Sequence, residues 1–151
     1  MKNDLDILKD LSLAEQLARV SRLWRSVADK ELHPLGLTHP RWTALWKLQR
    51  LGDNISQKHL ADALEIELSS LMRTLSQLEE QGLVTRVSCS TDKRVRIVRL
   101  TPAGSEFLKQ LETRIVQVRR QLLEGLDSNQ INQLSLMLEQ IAHNALDSLN
   151  E

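Results

Sequence analysis

The sequence predicts a mainly α fold with one small β-hairpin, and three observations carry that expectation. Apolar residues step by three and four along most of the chain, the spacing of helices that bury one face. Two runs, Leu83–Val87 and Val95–Leu100, are instead rich in Val and Ile, the composition of strands. Between them Ser88–Arg94 is short and polar, so the runs read as a hairpin with an extended tip. At 151 residues, 41% of them hydrophobic, the chain is about one domain long and has enough apolar material for a core. Tyr is absent and Phe occurs once, so Leu, Ile and Val must fill that core.

Met1–Asp10 is too charged for a signal peptide. Leu13, Leu17, Val20, Trp24 and Val27 then form one stripe of a helix running from Leu13 to Leu32, which Pro34 and Gly36 end. Thr38 is placed to cap the next helix, with Pro40 in its first turn. Trp42, Leu45 and Trp46 make its buried face, through about Leu51. Gly52-Asp53-Asn54 is a turn. Ser56 is placed to cap a short helix, and Ile55 and Leu60 to staple it. Its Lys58, His59 and Asp62 face out while Leu60, Ala61 and Leu64 pack; Glu65 and Ile66 leave room for a tight turn.

The segment Leu68–Gln81 divides into two faces. Leu71, Met72, Leu75 and Leu78 are assigned to the packing arc, and Ser69, Ser70, Arg73, Thr74 and Gln77 to the exposed arc. Gly82 stands where a helix needs a left-handed residue, with Leu78 and Leu83 in contact across the cap. After the hairpin, Thr101 caps and Pro102 opens a long helix with the seam Leu108, Leu111, Ile115, Val118 and Leu122. Gly125 breaks it. Asp127 and Gln130 have capping-box spacing, Leu126 and Ile131 staple spacing, and a last helix carries Ile131, Leu134, Leu138, Ile141 and Ala145.

These elements point to a nucleic-acid partner. The exposed arc of Leu68–Gln81 offers hydroxyls, an amide and a guanidinium to base edges and phosphates. Taken alone, that segment also reads as a plain amphipathic helix. Helix, tight turn and polar second helix make a helix-turn-helix, and a basic hairpin behind it makes a wing. From Leu83 to Leu100 five bases (Arg86, Lys93, Arg94, Arg96, Arg99) face one acid, Asp92, a net of +4. The formal net charge of the chain is zero, so the remainder carries −4 and a polyanion is drawn to the wing. Asp92 is expected to bond to the tip and aim Arg94 at DNA, where an Arg can enter a narrow minor groove, while Lys93 and Arg96 hold phosphates. The seams of the terminal helices either close the chain's own core or form a two-fold dimer interface. A dimer would present two recognition helices about one DNA turn apart, to a near-palindrome.

The stretch LADALEIELSSLMRTLSQLEEQGLVTR, followed by STDKRVRIVRLTPAG, resembles the MarR family of bacterial transcription regulators, and within it the SlyA-like branch. Asp92-Lys93-Arg94 and Leu100-Thr101-Pro102-Ala103-Gly104 are the most specific parts, and RLWRSVADKELHPLGLTHPRW extends the likeness upstream. Val95 departs from it, since many members have Gly after the Arg. The resemblance implies a winged helix-turn-helix with N- and C-terminal dimerisation helices: a single domain 1–151, with a DNA-binding lobe at 38–100 and dimerisation helices at 1–35 and 101–151. It implies a cytoplasmic, nucleoid-associated bacterial homodimer on double-stranded DNA, with the recognition helix in the major groove and the wing Arg in the minor groove. It also implies a small aromatic carboxylate, salicylate-like, as effector between the dimerisation helices and the DNA-binding lobe.

A ligand site has a basis in the residues as well. Trp24, Trp42 and Trp46, with Arg22, Thr38 and Arg41 nearby in sequence, would supply an aromatic wall and a guanidinium for a carboxylate. The competing reading makes these tryptophans core. A regulator that needs no ligand and displaces another DNA-bound protein, and a winged helix used for protein–protein contact, are the alternatives; a docking wing would be apolar or mixed rather than basic. No cofactor, metal or enzyme is indicated. His33, His39, His59 and His143 lack metal-ligand spacing, and there is no phosphate loop or nucleophile elbow. No apolar run is long enough for a membrane. The single cysteine, Cys89, excludes an internal disulfide and fits a reducing compartment. Nothing flanking it in sequence need lower its pKa.

Overall fold

The computed structural model describes residues 4–52 and 54–151. Asp53, in the expected Gly52–Asn54 turn, lies outside the described residues, as do the first three residues of the charged N-terminal stretch. The chain falls into two compact units, Met1–Val118 and Arg119–Glu151. Among the described residues no helix is long and apolar enough to cross a membrane.

The first unit opens with a helix that the periodicity did not predict, α1 (Asp4–Lys9). Six residues are too few to show a period. Helix α2 (Leu13–Leu32) starts at a capping box in which Ser12 and Glu15 satisfy each other's backbone N–H. It ends in a 3₁₀ turn at His33–Leu35 and Gly36 at φ +78°. Only Ala28 and Leu32 of α2 are buried. The stripe expected to pack is outward at its N-terminal half, where Leu13, Leu17, Val20 and Trp24 are 37–64% exposed. Helix α3 (His39–Leu51) has Thr38 at the N-cap position, but the Thr38 side chain makes no capping bond.

Strand β1 (Ile55–Ser56) precedes α4 (Gln57–Leu64), which is capped by the Ser56 hydroxyl accepting from the His59 N–H at 3.0 Å. Glu65, at φ +56°, turns the chain towards α5 (Leu68–Glu80). Helix α5 ends where Leu83 N–H donates to the Leu78 carbonyl at 3.0 Å across Gly82, whose φ is +75°. Strands β2 (Val84–Ser88) and β3 (Arg96–Leu100) form the expected antiparallel hairpin. The sheet has a third member, in the order β1-β3-β2, because Ile55 and Ser56 pair with Val98 and Ile97.

The core of this unit joins Leu45 and Leu48 of α3, Leu60 of α4, Leu71, Leu75 and Leu78 of α5, and Val84 and Val98 of the sheet. It also takes Leu32 of α2 and Leu108 and Leu111 of α6 (Pro102–Leu122). The first half of the α6 seam therefore closes the chain's own core, and the packed lobe is wider than residues 38–100. Thr101 starts α6: its hydroxyl accepts from Gly104 N–H at 2.9 Å and donates to the Gly82 carbonyl at 2.6 Å. A Cβ on Gly104 would lie 2.0 Å from the Leu83 carbonyl oxygen, so only glycine permits this approach of helix to strand.

In the second unit Gly125, at φ +91°, separates α6 from α7 (Ser128–Leu149). The expected capping box is present: Asp127 N–H donates to Gln130 Oε1 at 2.9 Å and Gln130 N–H to Asp127 Oδ1 at 2.8 Å. No residue of α7 is buried. Leu134, Leu138 and Ile141 of its seam are 40–44% exposed in the single chain.

Candidate nucleic-acid interface

Helix α5 carries the proposed reading face. Ser69, Ser70 and Arg73 are exposed and Gln77 is half-buried. Two placements differ from the sequence reading. Thr74 is 7% exposed, and its hydroxyl donates to the Ser70 carbonyl at 3.2 Å; Met72 is 43% exposed. At about 100° per residue, the buried leucines span an arc from Leu78 to Leu75; Thr74 lies roughly 40° beyond Leu78 at one edge and Met72 roughly 60° beyond Leu75 at the other, so Thr74 is the nearer of the two to the packed face. Thr74 therefore supports the face from behind. Beside the face, a cleft of about 420 Å³ is lined by Ser70, Arg73 and Gln77 of α5 and by Thr38 and Arg41 at the start of α3. The Arg41 Nε atom is buried there with no hydrogen-bond partner.

The hairpin tip is braced by Asp92. Its Oδ1 accepts from Arg94 N–H at 3.0 Å and from Arg94 Nε at 3.2 Å, its Oδ2 accepts from Arg94 Nη2 at 3.3 Å, and its carbonyl accepts from Val95 N–H at 3.0 Å. The Arg94 side chain, then its backbone N–H, holds the Asp92 carboxyl below its ordinary value of 3.8. The fork orients the guanidinium yet leaves the Arg94 side chain 92% exposed. Lys93 and Arg96 are also exposed. Arg96 and Arg94 line a cleft of about 270 Å³ with Ser56, Lys58 and Leu68, so the tip end of the wing faces the starts of α4 and α5.

Not every wing base is free for a partner. Arg99 Nε donates to Asn54 Oδ1, and the Arg86 guanidinium turns inward onto α4 and α5. Cys89 also differs from expectation. Its Sγ lies 3.2 Å from Thr91 Oγ1, and that contact, with the backbone N–H groups of Thr91 and Asp92, lowers the thiol below its ordinary value of 9.0. Sequence proximity alone did not show that the turn folds these donors back onto the sulfur.

The expected ligand residues do not form one site. Trp24 and Trp42 share a cleft of about 490 Å³ with Val20, Arg25 and His39. Asp29 organises its wall: Oδ1 accepts from Trp42 Nε1 at 2.8 Å and meets His39 Nδ1 at 2.8 Å, and Oδ2 lies 3.9 Å from Arg25 Nε. The His39 ring stands edge-on to Trp42, with centroids 5.2 Å apart. Trp46 packs against the core instead, Thr38 and Arg41 line the cleft beside α5, and Arg22 lines neither. Arg22 is two residues from Trp24, on the other side of the helix, while Val20 and Trp24 share a face by their spacing of four. That spacing rule, applied to α2, would have favoured neighbours of this face over Arg22; nothing in the sequence marked Asp29 or His39.

The comparisons agree with this architecture. The MarR family model (MarR_2) matches residues 35–95. The crystal structure of transcriptional regulator PA3341 superposes with a TM-score of 0.83 at 33% identity, covering 90% of this chain and 99% of that one. A mutant of MarR from E. coli, crystallised in complex with operator DNA, superposes with a TM-score of 0.77 at 25% identity, covering 85% of this chain and 92% of that one. A MarR-family transcriptional regulator from Rhodococcus sp. RHA1 shares the fold, with a TM-score of 0.77 at 23% identity and coverage of 88% and 96%. A mainly helical chain with this small antiparallel sheet, a helix-turn-helix and a braced basic wing belongs to the MarR family of transcription regulators.

Proposed function

We propose that this chain is a sequence-specific regulator that binds double-stranded DNA as a homodimer on a near-palindromic operator. One observation carries the reading: a single lobe presents a polar helix face, with Ser69, Ser70 and Arg73 exposed and Gln77 half-buried, beside a wing whose exposed Arg94 is braced by Asp92. The helix face suits base edges in a major groove, and Arg94 with Lys93 and Arg96 suits the phosphates and the adjacent minor groove. The operator DNA held by the MarR relative supports the same partner here. The apolar rows left outward on α2 and α7 support a dimer built from the terminal helices, because such rows on a soluble helix call for a covering surface. The Trp24–Trp42 cleft, with Arg25 and His39 at its wall, supports a small aromatic carboxylate as effector. Selection of bound fragments from random duplex DNA tests the main reading. An inverted repeat is expected; recovery of no preferred sequence would overturn it. A salicylate titration tests the effector, which must quench tryptophan fluorescence and weaken operator binding over one concentration range.

A further inference from the structure

Arg86 counts among the wing bases by sequence, but its surroundings are those of an internal clamp. Its side chain is 12% exposed. Nη1 donates to Gln57 Oε1 on α4 at 3.4 Å, and Nη2 donates to Ser76 Oγ at 3.0 Å and to Glu79 Oε1 at 3.4 Å, both on α5. The backbone N–H of Arg86 donates to the other Glu79 oxygen at 3.1 Å. Gln57 is itself 7% exposed. Ser76 in turn donates to the Met72 carbonyl at 3.0 Å, one residue before Arg73 of the reading face. One guanidinium on β2 thus meets both helices of the helix-turn-helix. Arg86 pairs in register with Val98, two residues before β2 ends at Ser88 and the tip begins. A planar fork can serve acceptors on two helices at once; an ammonium cannot hold that geometry.

We propose that Arg86 is a positioning residue for DNA reading: it locks the wing strand to α4 and α5 and so sets the angle between the recognition face and Arg94. The proposal rests on the DNA-binding function above. It separates Arg86 from Lys93, Arg94 and Arg96, which face solvent and would touch DNA themselves.

The test compares Arg86→Lys, Arg86→Gln and Gln57→Leu in the full chain. Affinity is measured for the duplex that the wild type selects and for an unrelated duplex, each over a salt series, beside thermal melts. Both Arg86 variants should lose roughly tenfold in selected-duplex affinity, the scale of one good base contact. Binding to the unrelated duplex and the salt slope should stay unchanged. Gln57→Leu removes an acceptor that is too buried to touch DNA, and should lose about threefold in the same direction, the scale of one neutral hydrogen bond. Full rescue by Arg86→Lys would overturn the proposal, because charge rather than the fork would then suffice. A fall of about one unit in salt slope in Arg86→Gln would overturn it too, making Arg86 a phosphate contact. So would parallel loss of both affinities with melting, which would reduce the clamp to general stability. If the wild type selects no duplex at all, the DNA reading fails first and the role of Arg86 with it.

Discussion

Helices α5 and α7 carry apolar rows of the same kind and treat them oppositely. Leu71, Leu75 and Leu78 of α5 are wholly buried among α3, α4 and the sheet, while Leu134, Leu138 and Ile141 of α7 stand 40–44% exposed. Helix α2 shows both behaviours along its length, with Leu13 and Leu17 outward on one stripe and Ala28 and Leu32 buried on a neighbouring face near its end. Periodicity thus reports that a helix has a face to bury; it does not report what covers that face. In α5 the cover belongs to the same chain. For α7 and the start of α2 the proposed homodimer would supply it, and the sharpest way to break the contrast is to make one row polar at a time.

Replacing Leu138 and Ile141 together by Lys should give the largest effect. On the proposed reading the protein becomes a monomer by sedimentation, and operator affinity falls by roughly 10²–10⁴, because two half-sites are no longer held by one body. The melting transition of the lobe should persist. A dimer with intact affinity would place the interface elsewhere. The converse change, Leu75→Ala, should destabilise folding by about 2–5 kcal/mol, the range for a large core side chain cut to a methyl. Urea denaturation reads this directly, and a loss under about 1 kcal/mol would mean that the site is not the close-packed core described.

The contrast also explains what was legible in the chain. Local signals are legible: Ser56 and Asp127 as caps, Gly82 as the left-handed stop, Thr101 at the start of α6, and Asp92 as the partner of Arg94. Each depends on residues at most five apart, so spacing alone decides it. Apart from the Thr38 cap, the short α1 and the turn around Cys89, what the sequence misses depends on distant partners. Strand β1 is two residues long and exists only because β3 lies beside it. Arg86 resembles the other wing bases until Gln57, 29 positions earlier, comes to meet it. Nearness in sequence groups Arg22 and Arg41 with the tryptophans, whereas the cleft gathers Arg25 and His39 around Asp29. Thr74 differs for another reason: its hydroxyl suggests an exposed position, whereas its angle sets it beside Leu78 at the edge of the packed face.

Within the proposed interface, helix and wing should differ in kind. Arg94→Ala should cost about 1–3 kcal/mol of operator binding with circular dichroism unchanged, since the side chain is exposed and supports no core. Arg73→Ala or Gln77→Ala should change the preference among operator variants. Lys93→Ala or Arg96→Ala should weaken all duplexes alike and flatten the salt dependence by about one unit per lost phosphate contact. A base preference that follows Lys93 and ignores Arg73 would reverse the assignment of helix and wing.

The smallest effect compares two carboxylates, Asp92 on the wing and Glu15 in the first turn of α2. Asp92 is held below 3.8 first by the Arg94 side chain and then by its N–H, and Glu15 below 4.5 first by the Ser12 side chain and then by its backbone. A depressed folded value means that each bond contributes fully above the ordinary value and is lost as the pH falls through the lower one. Neither bond should change between pH 7 and 5, and both should open only in acid below those ordinary values. Carboxyl-carbon NMR titration gives the two midpoints separately. Arg94→Ala removes the larger cause at Asp92 but leaves the backbone donor, so the Asp92 midpoint should rise part of the way towards 3.8 while Glu15 stays where it is. Ser12→Ala should move Glu15 alone. If Arg94→Ala leaves the Asp92 midpoint unmoved, the fork is not closed in solution. The wing would then present Arg94 through the backbone turn of Asp92, Arg94 and Val95, without the carboxylate aiming its guanidinium.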